Sequence, residues 1–317
     1  MKTWIRLALF ALVFVVLAIF IAKGVDVKRL VDLVLNFSKT DLLVFCGISL
    51  VVAILKSWRF LILLSASDID ISFTDAVRIF LAGQATSPLP GGEVVRGILI
   101  KEETGTKIVN TIGPLFAQAY LEILSAALLM LIGSLFFQVI RIPSMVVLVI
   151  FFLFTVILIK EKLLQKVADI LNFKILKGFF KKLFITQKDF KEILYQDVHK
   201  TLLRTMLVSI VAHLAGGLLI YLIARSFHID LSLIQSTFIY AAGIVIQGLA
   251  FTPGGIGFTE GGILGMFLLF NVATNEALGI VLIYRLATLI FYVLVGILVL
   301  LLFYGKDFVF KGKLVNG

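Results

Sequence analysis

The chain has 317 residues, 61% of them hydrophobic and 15% charged, with a mean hydropathy of +1.12 and a formal net charge of +10. A soluble domain is about half apolar and about a quarter charged, so this composition excludes a water-soluble globule and calls for a lipid solvent. No basic stripe interleaved with aromatics accompanies the charge. The excess of lysine and arginine therefore reads as positive-inside bias and attraction to anionic lipid, with no nucleic-acid partner.

Apolar runs of roughly 20 residues, the length a helix needs to cross hydrocarbon, recur along the chain. In order they predict spans near 4–22, 42–64, 113–137, 144–159, 205–224 and 277–304. The first follows Met1-Lys2-Thr3-Trp4-Ile5-Arg6, which also fits a signal peptide; no small-x-small cleavage site follows, so an uncleaved helix is expected. Cys46, the only cysteine, falls inside a predicted span, which excludes an intrachain disulfide. Two further apolar segments, 74–100 and 233–271, are irregular, and each holds a Pro-Gly-Gly. The expected fold class is an all-α polytopic membrane protein. It has about six full spans plus two Pro-Gly-Gly-broken re-entrant hairpins in an inverted-repeat-like arrangement. A rival count makes 233–271 two crossings, although its latter part, 258–271, is short for a span.

Between Lys160 and Arg204 stand eleven lysines and arginines against five acids, which predicts a cytoplasmic loop. Within it Phe173, Leu176, Phe179, Phe180, Leu183 and Phe184 alternate with lysines at helical spacing. That pattern predicts an amphipathic helix on the membrane surface, with a solvated charged hairpin as the alternative. The chain is thus one membrane domain, 1–317. Its first half, 1–159, has a break at 88–93, the basic loop 160–204 follows, and the second half, 205–317, has a break at 252–260. Lys2 and Arg6 place the N-terminus in the cytoplasm, Lys306, Lys311 and Lys313 the C-terminus, and Lys56 and Arg59 mark the cytoplasmic end of the second span. The first loop, with Lys23, Lys28, Arg29 and Lys39, then lies outside against the rule. The protein is expected in the cell membrane.

The two breaks carry the chemistry. Gln84 stands six residues before Pro90-Gly91-Gly92-Glu93, and Gln247 six before Pro253-Gly254-Gly255, with Glu260 following; the motifs are 163 residues apart. Such internal repetition is a mark of many transporters. Proline stops a helix, and paired glycines admit positive φ and close approach. Freed backbone groups at membrane depth must line a cavity or be buried in protein. Each helix that restarts after a break also offers its positive N-terminus to an anion such as a lipid phosphate. Glu93 and Arg96 share a helix face and can pair, as a functional pair or as an ordinary ion pair at a span end. Gly257, Gly261 and Gly265 form a small-residue row expected to pack closely, which leaves Glu260 as an intramembrane acid to explain. Glu122 and Arg285 lie deep in spans, where charges are costly. They are expected to face the cavity, paired with each other or with Glu93 or Glu260, in a functional site or a structural clamp. The histidines have no metal-ligand spacing, Gly254-Gly255-Ile256-Gly257 misses the dinucleotide fingerprint, and no nucleophile is set beside a base. No enzyme activity, metal or cofactor is expected.

Taken together, Lys56-Ser57-Trp58-Arg59-Phe60, Pro90-Gly91-Gly92-Glu93-Val94-Val95-Arg96 with Gly105, Pro253-Gly254-Gly255-Ile256-Gly257-Phe258-Thr259-Glu260, and Tyr284-Arg285-Leu286 resemble the lysylphosphatidylglycerol synthase transmembrane family of flippase-like proteins. In that family similar regions precede a soluble lysyltransferase domain and are linked to moving the product lipid between leaflets. The chain stops shortly after its last span, so the transferase domain is expected to be absent. The resemblance implies translocation of an anionic, aminoacylated or polyprenyl-phosphate lipid. Gly91, Gly92, Gly254 and Gly255 would give backbone access, and Arg96 and Arg285 would hold phosphate. Glu93, Glu122 and Glu260 would balance charge or carry protons. The alternative is a non-transporting anchor or regulator of a separate cytosolic or membrane lipid-modifying enzyme, working through the loop 160–204. A homo-oligomer is compatible with either.

Overall fold

The computed structural model describes residues 37–89, 92–159, 198–250 and 253–305. Several expectations fall outside the described residues: the span 4–22 with the loop after it, Pro90, Gly91, Thr252, the terminal lysines, and the basic loop up to residue 197. Among the described residues every regular element is a helix. In chain order these are α1 (Lys39–Ser65), α2 (Phe73–Gln84), α3 (Val94–Thr104), α4 (Ile108–Phe136), α5 (Arg141–Ile159), α6 (Val198–Ser226), α7 (Leu233–Ala250), α8 (Phe258–Leu269), α9 (Thr274–Arg285) and α10 (Phe291–Val299). A π turn, Leu286–Ile290, joins α9 to α10 and a second, Leu300–Tyr304, extends the rod.

Among the described residues four helices are long and apolar enough to cross a membrane: Lys39–Ser65, Ile108–Phe136, Lys200–Ser226 and the composite Thr274–Tyr304. They correspond to four of the six expected spans. The expected span 144–159 lies in α5, whose described apolar stretch falls with the shorter helices. Large apolar side chains such as Leu43, Leu135, Ile142, Leu294 and Leu302 stand more than half exposed, as lipid-facing residues must.

The two halves share more than Pro-Gly-Gly. α1 closes at Asp68, held at φ 55, with the Ile69 amide donating to the Leu64 carbonyl; α6 closes at His228, φ 58, with Ile229 donating to Ala224, both bonds 3.0 Å. This is the left-handed helix stop, repeated 160 residues on. Each next helix then starts on a serine cap. Ser72 Oγ accepts the Asp75 amide and Ser232 Oγ the Gln235 amide, each at 3.1 Å. Asp68-Ile69-Asp70-Ile71-Ser72 and His228-Ile229-Asp230-Leu231-Ser232 are the segments responsible.

α1 and α6 pack along each other in opposite directions. Phe37, just before α1, stacks on Phe227, just after α6, with ring centroids 5.9 Å apart. Near the other end Arg59 Nη1 donates to Ser209 Oγ at 3.0 Å. The turns that launch α2 and α7 therefore lie at opposite ends of the antiparallel pair. Each first arm then crosses to the other half. α7 runs along α4, with Gly248 against Ile123 and Gly133 against Phe238, while α2 runs along α10, with Gly296 against Leu81 and Ala85 and Arg78 over the Phe303 ring. The buried core follows this exchange. One cluster joins α4 to the second half through Ala126, Met130, Phe238 and Tyr284, and the other joins Leu300 to the first half through Phe60, Phe80 and Leu99.

Candidate functional site

The two breaks meet. A Cβ added at Gly254 would lie 3.3 Å from Pro88 Cα, so one broken segment touches the other at this glycine, whose φ of 61 a side chain would strain. In the first break a Cβ on Gly92 would overlap the Thr86 carbonyl oxygen. Thr86 Oγ1 in turn lies 3.2 Å from the Gly83 carbonyl and 3.0 Å from that of Gly92, a shared contact that satisfies backbone released by the break. In the second, Pro253–Gly255 forms a single 3-10 turn, and Gln247 and Thr259 pack over Gly255, leaving no room for a side chain. Gln84 is the last residue of α2.

Each break carries its own ion pair. Arg96 Nη1 is 2.7 Å from Glu93 Oε2, and its guanidinium lies 4.5 Å over the Phe80 ring and against Gly83. Arg96 is buried, whereas the Glu93 side chain is 62% exposed. Arg285 Nε is 2.7 Å from Glu260 Oε1, and its Nη2 donates to the Gly255 carbonyl at 3.1 Å, so the arginine ties the break to α9. Glu260 has a second task, because its Oε2 accepts the Gly257 amide at 2.7 Å and caps α8. The positive end of α8 is thus filled by the chain's own carboxylate. The expected packing row is also corrected. Gly261 and Gly265 have nothing within 4 Å of an added Cβ, and the close approach between α7 and α8 is made by Gly243 against Ile263 and Gly262 against Ile246. Gly261 and Gly265 thus face open space, while Gly262, one step off the row, faces α7.

Glu122 pairs with neither Arg285, Glu93 nor Glu260. Midway along α4, it is held 2.5 Å from Lys56 Nζ and 2.7 Å from Arg59 Nη2. Arg59 is 1% exposed and belongs to the interior. α1 ends at Ser65, as the expected span 42–64 does, and near that end Lys56 and Arg59 turn inward to Glu122. Behind Glu122, Ser125 Oγ lies 2.8 Å from His213 Nε2, and the His213, Tyr240 and Tyr284 rings follow at centroid separations of 5.8 and 6.5 Å. This buried polar column runs from the Glu122 cluster to the residue before Arg285. Sequence reasoning missed Ser125, Ser209, Tyr240 and the inward direction of Lys56. The available signal was a lysine and an arginine three apart with six apolar or small residues still to follow before the helix stop.

Among the described residues no group of three or more His, Cys, Asp or Glu side chains is placed to hold a metal. The comparisons agree with this membrane architecture. A "UPF0104 membrane protein" of Methanocaldococcus jannaschii is 27% identical over 215 residues, covering 66% of this chain and 88% of the relative. No solved structure matches significantly. Residues 3–296 match the family described as the lysylphosphatidylglycerol synthase TM region, and the chain belongs to that family.

Proposed function

We propose that the protein moves a phosphate-bearing lipid between leaflets, the head group passing between the two broken segments while the acyl chains stay in the bilayer. The observation that carries this reading is the contact of Pro88 with Gly254, which joins two helix breaks launched from opposite ends of an antiparallel pair. α2 and α8 have twelve residues each, about 18 Å of helix, against a hydrocarbon core of about 30 Å. These lengths support the reading of the broken segments as re-entrant hairpins that approach each other from opposite faces, with α7, at 18 residues or about 27 Å, as the one long arm. Glu93–Arg96 and Glu260–Arg285 close the path in this conformation, and a passing phosphate would exchange with the carboxylates on the two arginines. Arginine suits this exchange because its guanidinium binds carboxylate and phosphate in the same forked geometry.

Reconstitution tests the proposal. Proteoliposomes holding fluorescent phosphatidylglycerol should lose outer-leaflet and then inner-leaflet signal to a membrane-impermeant quencher faster than protein-free vesicles. Absence of any acceleration for phosphatidylglycerol, its lysylated form and a polyprenyl phosphate overturns the reading.

A further inference from the structure

Three ionic clusters among the described residues each hold a largely buried arginine, and their charges differ. Glu93–Arg96 and Glu260–Arg285 are each one acid against one base. The third sets Lys56 and Arg59 against Glu122, which among the described residues leaves an excess of one positive charge inside the helical bundle. An uncompensated charge away from water is costly unless a partner completes it. Donors are in surplus as well. Of Arg59's five N–H groups, Nη2 meets Glu122 and Nη1 meets Ser209 Oγ, while the buried Nε finds no acceptor. Lys56 has three donors for one carboxylate contact. The cluster is open on one side: the Lys56 and Glu122 side chains are 15% and 18% exposed, whereas Arg59 is sealed. His213, packed behind through Ser125, adds no acid.

We infer that Lys56 and Arg59, braced by Glu122 and Ser209, form the resting site for one singly charged phosphodiester, the head-group phosphate of an anionic lipid that carries no cation of its own. A charge of minus one neutralises the cluster, and two non-bridging oxygens suit the spare donors of Arg59 and Lys56. A head group with its own ammonium would set that charge beside Lys56, and a doubly charged monoester would leave the site negative. Arg96 Nε and Arg285 Nε also make no hydrogen bond, the latter meeting Glu260 as an ion pair alone, but each break arginine faces its own carboxylate one to one and the N-terminus of α8 is capped by Glu260, so neither break carries an excess charge. This inference rests on the translocation reading and deepens it by naming where the phosphate waits and which lipids carry it.

The test is native mass spectrometry of the detergent-purified chain titrated with phosphatidylglycerol, phosphatidylcholine, phosphatidic acid or inorganic phosphate. Wild type should hold phosphatidylglycerol about tenfold tighter than phosphatidylcholine, the scale of one charge-assisted contact. Inorganic phosphate should not displace it. Lys56→Gln should erase that preference and Lys56→Arg restore it, while Arg225→Gln, a surface ion-pair change, leaves it intact. Should Lys56→Gln fail to fold, Glu122→Gln serves: it raises the excess to two and should turn the preference toward phosphatidic acid. An unchanged preference in either variant overturns the site, as does equal loss in Arg225→Gln or displacement by inorganic phosphate. Loss in Arg285→Gln but not in Lys56→Gln would move the phosphate to the second break and leave translocation standing. Absence of leaflet exchange by wild type in the vesicle assay would instead overturn the translocation reading itself.

Discussion

Glu260 performs two separable tasks, and substituting it measures each. Glu260→Gln removes the charge facing Arg285 but keeps an acceptor for the Gly257 amide; Glu260→Ala removes both. The Arg285 side chain is 12% and that of Glu260 30% exposed, so the pair lies between a surface ion pair, worth about 0–1 kcal/mol, and a fully buried one, whose disruption costs about 3–5 kcal/mol. Glu260→Gln should thus destabilise by about 2 kcal/mol, and Glu260→Ala by about 1 kcal/mol more for the lost cap. For a large chain each kcal/mol lowers Tm by about 2 °C. The expected falls are then about 4 and 6 °C, read by thermal melting of the detergent-solubilised protein under size-exclusion control. Because the residues touch, Arg285→Gln added to Glu260→Gln should cost about 1 kcal/mol less than the two singles together. Equal melting of Glu260→Gln and Glu260→Ala would refute the capping role, and strict additivity with Arg285→Gln would refute the ion pair.

The exchange of arms between halves predicts a disulfide. A Cβ at Gly248 would lie 3.7 Å from Ile123 Cβ, within disulfide geometry, so Ile123→Cys with Gly248→Cys in a Cys46→Ser background should oxidise within one chain, seen as a reductant-sensitive mobility shift; no shift under mild oxidant would refute the pairing of α7 with α4. Gly92→Ala should abolish stable expression because its methyl meets the Thr86 backbone, whereas Gly47→Ala and Gly261→Ala, with open space, should express and melt as wild type. Thr86→Val strips the hydroxyl that serves the Gly83 and Gly92 carbonyls and should cost about 1–3 kcal/mol, measured as a Tm fall of about 2–6 °C.

Composition, four long spans and two broken segments were legible in the sequence because apolar run length and the chemistry of proline and glycine act locally. What those breaks do was less legible. Glu260 read as an unexplained intramembrane acid, yet half of its work is a helix cap three residues from Gly257, a spacing plain in the chain. The repeated helix stops at Asp68 and His228 were equally visible, but neither residue is glycine, and a left-handed turn at Asp or His leaves a fainter signal. The partner of Glu122 was not legible at all. Lys56, Arg59 and Glu122 converge only because α1 and α4 pack together, and a charge near a helix end reads as a membrane border until the packing turns it inward.

Position 56 also shows where the two halves part. Under the 160-residue offset that aligns Asp68 with His228 and Ser72 with Ser232, Lys56 and Arg59 correspond to Gly216 and Leu219 of α6. A Cβ on Gly216 would run into the Tyr240 ring, so the second half fills with an aromatic the space that the first half gives to charge. The scaffold is thus repeated and inverted while its excess charge is not. A repeated scaffold supplies two broken segments from opposite ends, as access from either leaflet requires. On the proposal above, the one excess charge of the Lys56–Arg59–Glu122 cluster would supply a single resting position for a lipid phosphate in the first half. A lysine placed at 216 would displace Tyr240 and cut the column from His213 to Tyr284, so the asymmetry is built into the packing around Gly216 as well as into the charges.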